Sequence, residues 1–181
     1  MEPATGEHPD LSQENQARKW ILGNPPAFCN TNDPSILSQV LNHYDQETPD
    51  FYRWTVTYTT EVLSELVCRR SGIDFGTILD LIPMERGDSG RLIQLRIVGS
   101  KQSRIIGKEL EIRRTLSESH LYSSAFVVEK TAEGFRLYGA GWGHGVGLCQ
   151  IGAAMMGEQG YDYQAILAHY YPNTSLDLLY P

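Results

Sequence analysis

The sequence has no long hydrophobic run and no excess of basic residues, and each absence excludes a class of protein. No apolar stretch approaches the roughly 18 to 20 residues of a membrane-spanning helix, so we predict no transmembrane segment. The net charge is -7 at pH 7, which argues against general nucleic-acid binding because neutralising phosphates requires a basic face. Phosphate cradling is also disfavoured, since neither a dinucleotide-binding glycine fingerprint nor a Gly-Lys-Ser/Thr P-loop is present.

Paired cysteine motifs are also missing. Cys29, Cys68 and Cys149 are odd in number and far apart, whereas disulfide frameworks and zinc knuckles rely on paired, short spacings. We therefore expect buried or free thiols and predict no metal and no cofactor. A single bridged pair, or a pair that shares a metal, stays open.

The first ten residues have neither the basic patch nor the apolar core of a signal peptide. The chain is accordingly expected to be either cytoplasmic or a piece of a longer exported protein. A length of 181 residues suits one well-buried domain. Residues 1–19 are polar and contain Pro3 and Pro9, so we expect them to be partly disordered, and we assign the fold to residues 20–181.

The hydrophobic pattern predicts an α+β fold of short antiparallel strands with several short packed helices. The predicted helices begin at Asp33-Pro34 and at Thr59 or Thr60, and others cover 107–116, 146–160 and the residues after Asp162. The second helix is expected to end near Gly72 and to turn Val62, Leu63, Leu66 and Val67 inward. The helix over 146–160 is rich in small apolar residues, so we expect it to be buried almost all round. The predicted strands cover 53–58, 78–86, 92–98, 103–106, 123–129 and 134–139.

The most unusual stretch is residues 139–150, which we call the glycine-rich loop. It holds five of the chain's 17 glycines, and His144 lies between two of them. Glycine loses more backbone entropy on folding than any other residue, so this density indicates positive φ angles or the close approach of another group. One interpretation is a turn between a strand and a helix with a structural histidine. The other is a site that a substrate approaches, because loops often carry function.

The loop also carries a family signature. The pattern Gly-x-Gly-Trp-Gly-His-Gly-Val-Gly-Leu-Cys-Gln-Ile-Gly-Ala over 139–153, followed by Gly-Tyr at 160–161 and Ile-Leu-x-His-Tyr-Tyr over 166–171, resembles the C-terminal signature of the stage II sporulation protein D and amidase-enhancer family (SpoIID/LytB). A looser match upstream includes Ser89-Gly90-Arg91, Ile105-Ile106-Gly107 with Arg113, and Ser123-Ser124-x-Phe126. The resemblance implies that residues 20–181 are the C-terminal portion of such a domain, in a bacterial protein of the cell envelope or another extracytoplasmic site.

The resemblance implies a role in processing the glycan strands of peptidoglycan, because family members resemble lytic transglycosylases. Their acid/base glutamate belongs to a Pro-x-Glu-Ala-Leu-Lys-Ala-Gln-Ala-Val-Ala-Ala-Arg-Thr motif, which this sequence lacks. A transglycosylase needs a carboxyl group that protonates the glycosidic oxygen. Glu118 and Glu158 are weak substitutes, so we predict no catalytic residue in this chain and leave open whether it is an enzyme.

The loop and its neighbours are instead expected to line a glycan cleft. His144 and Gln150 would donate hydrogen bonds to the sugar, Trp142 and Tyr171 would provide stacking faces, and Ser123 and Ser124 would complete the polar lining. The expected partner is a peptidoglycan glycan strand. The alternative is a non-catalytic module that binds glycan or a cell-wall amidase and enhances the amidase, and a purely structural fragment is the third hypothesis.

Overall fold

The computed structural model describes residues 9–40 and 51–177. Its helices are α1 Glu14–Leu22, α2 Pro34–Val40, α3 Thr60–Ser71, α4 Glu109–Thr115, α5 Gln150–Glu158 and α6 Tyr163–Tyr170. Its strands are β1 Arg53–Thr59, β2 Ile78–Arg86, β3 Leu92–Gly99, β4 Ser103–Ile106, β5 Phe126–Lys130 and β6 Gly134–Ala140. The strands form two antiparallel sheets with the orders β1-β6-β5 and β2-β3-β4, so the predicted α+β class is confirmed.

The central strand of the first sheet leads directly into the glycine-rich loop. Strand β6 lies between β1 and β5 and pairs with both, and the loop leaves its last residue, Ala140. Gly139 faces the ring of Trp54, and a Cβ built on Gly139 would lie 2.0 Å from that ring. The buried Trp54 indole also donates a hydrogen bond of 3.1 Å from Nε1 to the carbonyl of Gly141. The first glycine of the loop is therefore required by packing.

The second sheet contains the three-stranded meander that the sequence predicted. Strands β2, β3 and β4 match the predicted ranges to within one residue at each end. The turn between β2 and β3 carries Arg91 toward the glycine-rich loop. The core lies between this sheet, the first sheet and helices α3 and α4. Its fully buried members include Leu63, Phe75, Leu95, Ile97, Ile112 and Leu137.

Helix α1 begins within the segment 1–19 that the sequence predicts to be partly disordered. Residues 1–8 lie outside the described part of the chain, but residues 14–19 belong to a helix that packs on β5 and β6. Ala17 and Ile21 are buried there against Ala125, Val127 and Ala140. The Glu14 carboxylate accepts hydrogen bonds of 2.6 and 3.0 Å from Arg86, whose side chain is 1% exposed. This ion pair, in which the arginine is buried and the glutamate half exposed, fixes α1 to the second sheet.

For helix α3 the predicted ends agree with the structure, but one predicted buried residue does not. Thr59 is the cap of α3, since its hydroxyl accepts from the Val62 amide at 3.3 Å, and α3 ends at Gly72 as expected. Val62 itself is 53% exposed, so its predicted inward orientation is wrong; the buried stripe consists of Leu63, Leu66 and Val67.

Helix α5 differs from its prediction in burial, whereas α2 and α6 begin where they were predicted. Helix α2 begins at Pro34, and the rest of the predicted helix falls in residues 41–50, which lie outside the described residues. Helix α5 is not buried all round, because only Ile151, Gly152 and Met156 on one face are buried. The Asp162 carboxylate caps α6 by accepting from Ala165 N at 2.8 Å, as predicted. Within the described residues, no helix has the length and apolar character needed to cross a membrane.

Candidate functional site

The glycine-rich loop forms one wall of a cleft of about 700 Å³. Most of the rest of the lining comes from residues near the end of α1, from the segment between α1 and α2, from the end of α2, and from residues at and just before the start of β1. Four aromatic side chains line the cleft: Trp20, Phe51, Tyr52 and Trp142. Residues more than 100 positions apart in the sequence thus meet at one concave surface, which is the usual form of a ligand site.

Arg91 determines the shape of the loop. Its Nε donates to the Gly143 carbonyl at 2.8 Å, and its Nη2 donates to the Trp142 carbonyl at 3.4 Å. Burial lowers the pKa of Arg91, and an arginine guanidinium stays charged in proteins. Gly145 has φ of +74°, and a Cβ there would come within 1.9 Å of the Arg91 guanidinium. Gly145 is therefore needed both for its backbone conformation and for the space that Arg91 occupies.

Three predicted binding residues lie at the cleft. Trp142 packs between Phe51 and Tyr122, with ring centroids 5.1 and 4.8 Å away. His144 is exposed, and its Nδ1 accepts a hydrogen bond of 3.1 Å from the Val146 amide. The neutral ring accordingly carries its proton on Nε2, which is left as a donor. Gln150 is exposed at the first turn of α5, so the structure brings Trp142, His144 and Gln150 to one surface.

Tyr171 lies beside the loop rather than in the lining of the cleft. It is 40% exposed, and its hydroxyl would lie 3.5 Å from a Cβ on Gly147. It therefore borders the outer part of the loop, where stacking against a long ligand stays a prediction.

Ser123 and Ser124 require a correction, because neither lines the cleft. Both are fully buried, and their hydroxyls donate to backbone carbonyls, from Ser123 to Ala140 at 2.8 Å and from Ser124 to Leu92 at 3.0 Å. These bonds attach the segment before β5 to the end of β6 and to the start of β3. The two serines hold the strand ends from which the loop and Arg91 project, which is a structural role.

No aspartate or glutamate is among the described residues that line the cleft. Glu118 is on the surface, where it pairs with Arg69, and Glu158 is exposed at the end of α5. The two lining arginines bind backbone carbonyls: Arg53 donates to those of Trp20, Tyr52 and Gly23 at 2.7 to 2.9 Å. The described lining thus contains aromatic, amide and imidazole groups but no carboxyl group to act as an acid.

The cleft also contains two cysteines that the sequence did not pair. Cys29 donates a hydrogen bond to Cys149, and that bond, with help from the amides of Gly152 and Ile151 and the charge of Arg91, lowers the pKa of Cys149 to about 6 despite its burial. The same contact and burial raise the pKa of Cys29. Cys68 is exposed on α3. Within the described residues, no group of three or more His, Cys, Asp or Glu is placed to hold a metal ion.

One family model matches most of the length of this chain. A family model described as "Domain of unknown function (DUF8618)" matches residues 3–147, which include most of the residues that line the cleft and most of the loop. The chain belongs to this family. The family description carries no function, so the chemistry has to be argued from the site and from individual relatives.

Two relatives match about a third of the chain. A stretch of 64 residues, 35% of this chain, is 39% identical to the "Amidase enhancer" of Bacillus subtilis (strain 168), of which it covers 9%. A stretch of 61 residues, 34% of this chain, is 43% identical to an uncharacterized protein of Brachyspira hyodysenteriae (strain ATCC 49526 / WA1), of which it covers 17%. The chain thus spans less than a fifth of each relative's length. The predicted resemblance to the amidase-enhancer family is supported for this part of the chain.

Sequence reasoning missed Arg91 and Cys29 as members of the site. Arg91 had a weak signal, because Ser89-Gly90-Arg91 belongs to the looser upstream match. Cys29 had none, since it lies 120 positions before Cys149 and in no recognisable motif.

Proposed function

We propose that the cleft binds a glycan strand of the bacterial cell wall, and that this chain is a substrate-binding part of an extracytoplasmic protein that processes peptidoglycan. The observation that carries the proposal is the lining of the cleft, with aromatic faces and the exposed His144 and Gln150 but no described carboxylate. The partial similarity to a protein named as an amidase enhancer supports the cell-wall context.

The lining suits an uncharged polysaccharide. The aromatic residues of the lining offer apolar surface to the C–H groups of sugar rings. His144 Nε2 and the Gln150 amide have no described partner within the site and can bind hydroxyl and N-acetyl groups. The glycines on the loop between them present no side chains, so a ligand approaches the backbone closely. Such a cleft combines a large apolar surface with few directional polar groups, as ligand sites commonly do.

Cleavage needs an additional group. Glycosidic bond cleavage by a lytic transglycosylase requires a carboxyl group within hydrogen-bond reach of the scissile oxygen. The described lining provides none. We therefore propose that the described lining contributes substrate binding and does not itself supply the acid.

Glycan binding is tested with the full chain and purified, peptide-free glycan strands. We expect His144→Ala and Gln150→Ala each to weaken binding about tenfold, which corresponds to one lost hydrogen bond of ~1.4 kcal/mol. His120→Ala is the matched control, because His120 is also exposed but lies outside the cleft lining. Equal binding by all three variants, or no binding by the parent chain, would contradict the proposal.

A second candidate function is enhancement of a cell-wall amidase, which the name of the Bacillus subtilis relative favours. The two functions separate in one experiment, in which wall material is digested by an amidase with and without this chain. Enhancement predicts faster release of stem peptides when the chain is added. Mass spectrometry of the soluble glycan shows whether this chain cleaves glycan by itself. We expect no anhydro-sugar ends from this chain alone.

A further inference from the structure

Cys29 and Cys149 come from distant segments and meet at the cleft. Cys29 lies in a turn closed by the hydrogen bond of 2.9 Å from Asn30 N to Ala27 O. The preceding Phe28 packs edge-on against Tyr161 and His169, with ring centroids 5.7 and 5.3 Å apart. These contacts hold the turn that carries Cys29 against α6 and the connection before it.

Cys149 occupies a position that stabilises a thiolate. It is the N-cap residue of the nine-residue helix α5, beside the first amide groups of that helix, although its thiol forms no full capping hydrogen bond. Gly152 lies close to the sulfur, since a Cβ built on Gly152 would be 3.6 Å from Sγ, an ordinary van der Waals distance. Cys29 donates its proton toward the same sulfur, and Arg91 adds a positive charge nearby. Cys149 is thus the nucleophilic member of the pair and Cys29 the proton-bearing member.

Both thiols are reachable from solvent. Each is partly exposed and each lines the cleft, so a small disulfide molecule that enters the cleft meets Cys149 directly. Burial in a closed core, which makes most structural cysteines inert, does not apply here.

We propose that Cys29 and Cys149 are a redox-active pair, in which a small-molecule disulfide oxidises the two thiols to an intramolecular disulfide across the cleft. The Cys149 thiolate attacks one sulfur of oxidised glutathione, forms a mixed disulfide and displaces one glutathione thiolate, which takes up the proton that Cys149 had lost. Cys29 then loses its proton and attacks the Cys149 sulfur. The second glutathione leaves as a thiolate and takes up that proton.

The two electrons removed from the protein dithiol are those that reduce oxidised glutathione to two molecules of glutathione. The new bond joins the segment between α1 and α2 to the start of α5. It therefore connects the two walls of the cleft and closes a chain loop of 120 positions. Since a disulfide restricts the unfolded chain more when the loop is long, we expect the oxidised protein to melt roughly 10 °C above the reduced protein.

The test uses the full chain with Cys68→Ser, which removes the exposed third thiol and leaves the pair intact. After incubation with oxidised glutathione, we expect a peptide that links positions 29 and 149 in mass spectrometry, together with the rise in melting temperature. Adding Cys29→Ser should stop the reaction at glutathione bound to Cys149. With Cys149→Ser in place of Cys29→Ser, we expect glutathione to bind Cys29 at least tenfold more slowly.

Circular dichroism of each variant shows whether it is folded, and Cys29→Ala is a second replacement if Cys29→Ser is not. A parent protein that accumulates a stable glutathione adduct at Cys149 without the linked peptide would overturn the proposal. The proposal would also be overturned if Cys29 and Cys149 stayed reduced under conditions in which oxidised glutathione modifies Cys68 of the unsubstituted chain. Neither result depends on whether the cleft binds glycan.

Discussion

Replacing Gly145 with alanine tests whether Arg91 sets the shape of the glycine-rich loop. Gly143 and Gly145 have nearly the same backbone conformation, with φ of +72° and +74°, so alanine at either position has a similar backbone cost of about 1 kcal/mol. Their surroundings differ. A Cβ on Gly143 meets nothing within 4 Å, whereas a Cβ on Gly145 lies 1.9 Å from the Arg91 guanidinium. Gly143→Ala is therefore a matched control.

The extra cost of Gly145→Ala comes from displacing Arg91. The guanidinium would have to move and lose its hydrogen bond of 2.8 Å to the Gly143 carbonyl. A hydrogen bond to a charged group contributes about 1.5 to 3 kcal/mol, so we expect Gly145→Ala to be less stable than Gly143→Ala by about 2 kcal/mol. With a urea dependence of about 2 kcal/mol per molar, the difference moves the unfolding midpoint by about 1 M.

Urea unfolding followed by tryptophan fluorescence measures both variants, and an Arg91→Ala background completes the cycle. Without the guanidinium, Gly145→Ala and Gly143→Ala should have the same effect, because only the backbone cost remains. Equal destabilisation of the two glycine variants in the parent chain would refute the role assigned to Arg91. A difference that persists in the Arg91→Ala background would refute it as well.

Three further predictions concern single contacts. Glu14→Gln removes the charge partner of the buried Arg86. Because Glu14 is half exposed, we expect the free energy of unfolding in urea to fall by about 2 kcal/mol. A change below about 0.5 kcal/mol would contradict the role of this pair in docking α1. Asp162→Ala removes the cap of α6 and should cost about 1 kcal/mol, while Asp162→Asn should restore most of it. In the chain with Cys68→Ser, alkylation of Cys149 by iodoacetamide should rise with pH through a midpoint near the pKa of about 6, because the lowered pKa makes thiolate the main form at neutral pH. Cys29→Ala should move that midpoint upward, and an unperturbed midpoint of about 8.5 in the parent would be inconsistent with the thiol contact.

The sequence predicts those elements whose signal is local. Strands β2, β3 and β4 were located closely because their apolar residues and turn residues are contiguous. Caps were also readable, as at Thr59 and Asp162, because a capping side chain bonds an amide two or three residues away. Helix α1 was missed because charged and amide residues dilute its apolar face, and one of its two buried residues is only an alanine, Ala17.

The site was predicted in part for the same reason. The glycine-rich loop and its exposed residues His144 and Gln150 lie in one continuous stretch, so the sequence shows them together. Ser123 and Ser124 were expected to complete the polar lining of the cleft, but their hydroxyls bind carbonyls 17 and 32 positions away, and no local pattern shows those contacts. Arg91 reaches across 52 positions to the Gly143 carbonyl, a contact that no local pattern specifies.

The cleft is held in shape by interactions that do not involve a ligand. Arg91 binds loop carbonyls on one wall, Arg53 binds the carbonyls of Trp20 and Gly23 on the other, and the two serines fix the strand ends beneath them. A wall that is ordered before binding loses little conformational entropy when a ligand arrives, so even a few hydrogen bonds and stacking contacts give useful affinity. The same order holds Cys29 against Cys149 in the reduced protein. The ordered cleft therefore favours both ligand binding and thiol oxidation, because in each case the reacting groups already lie in place.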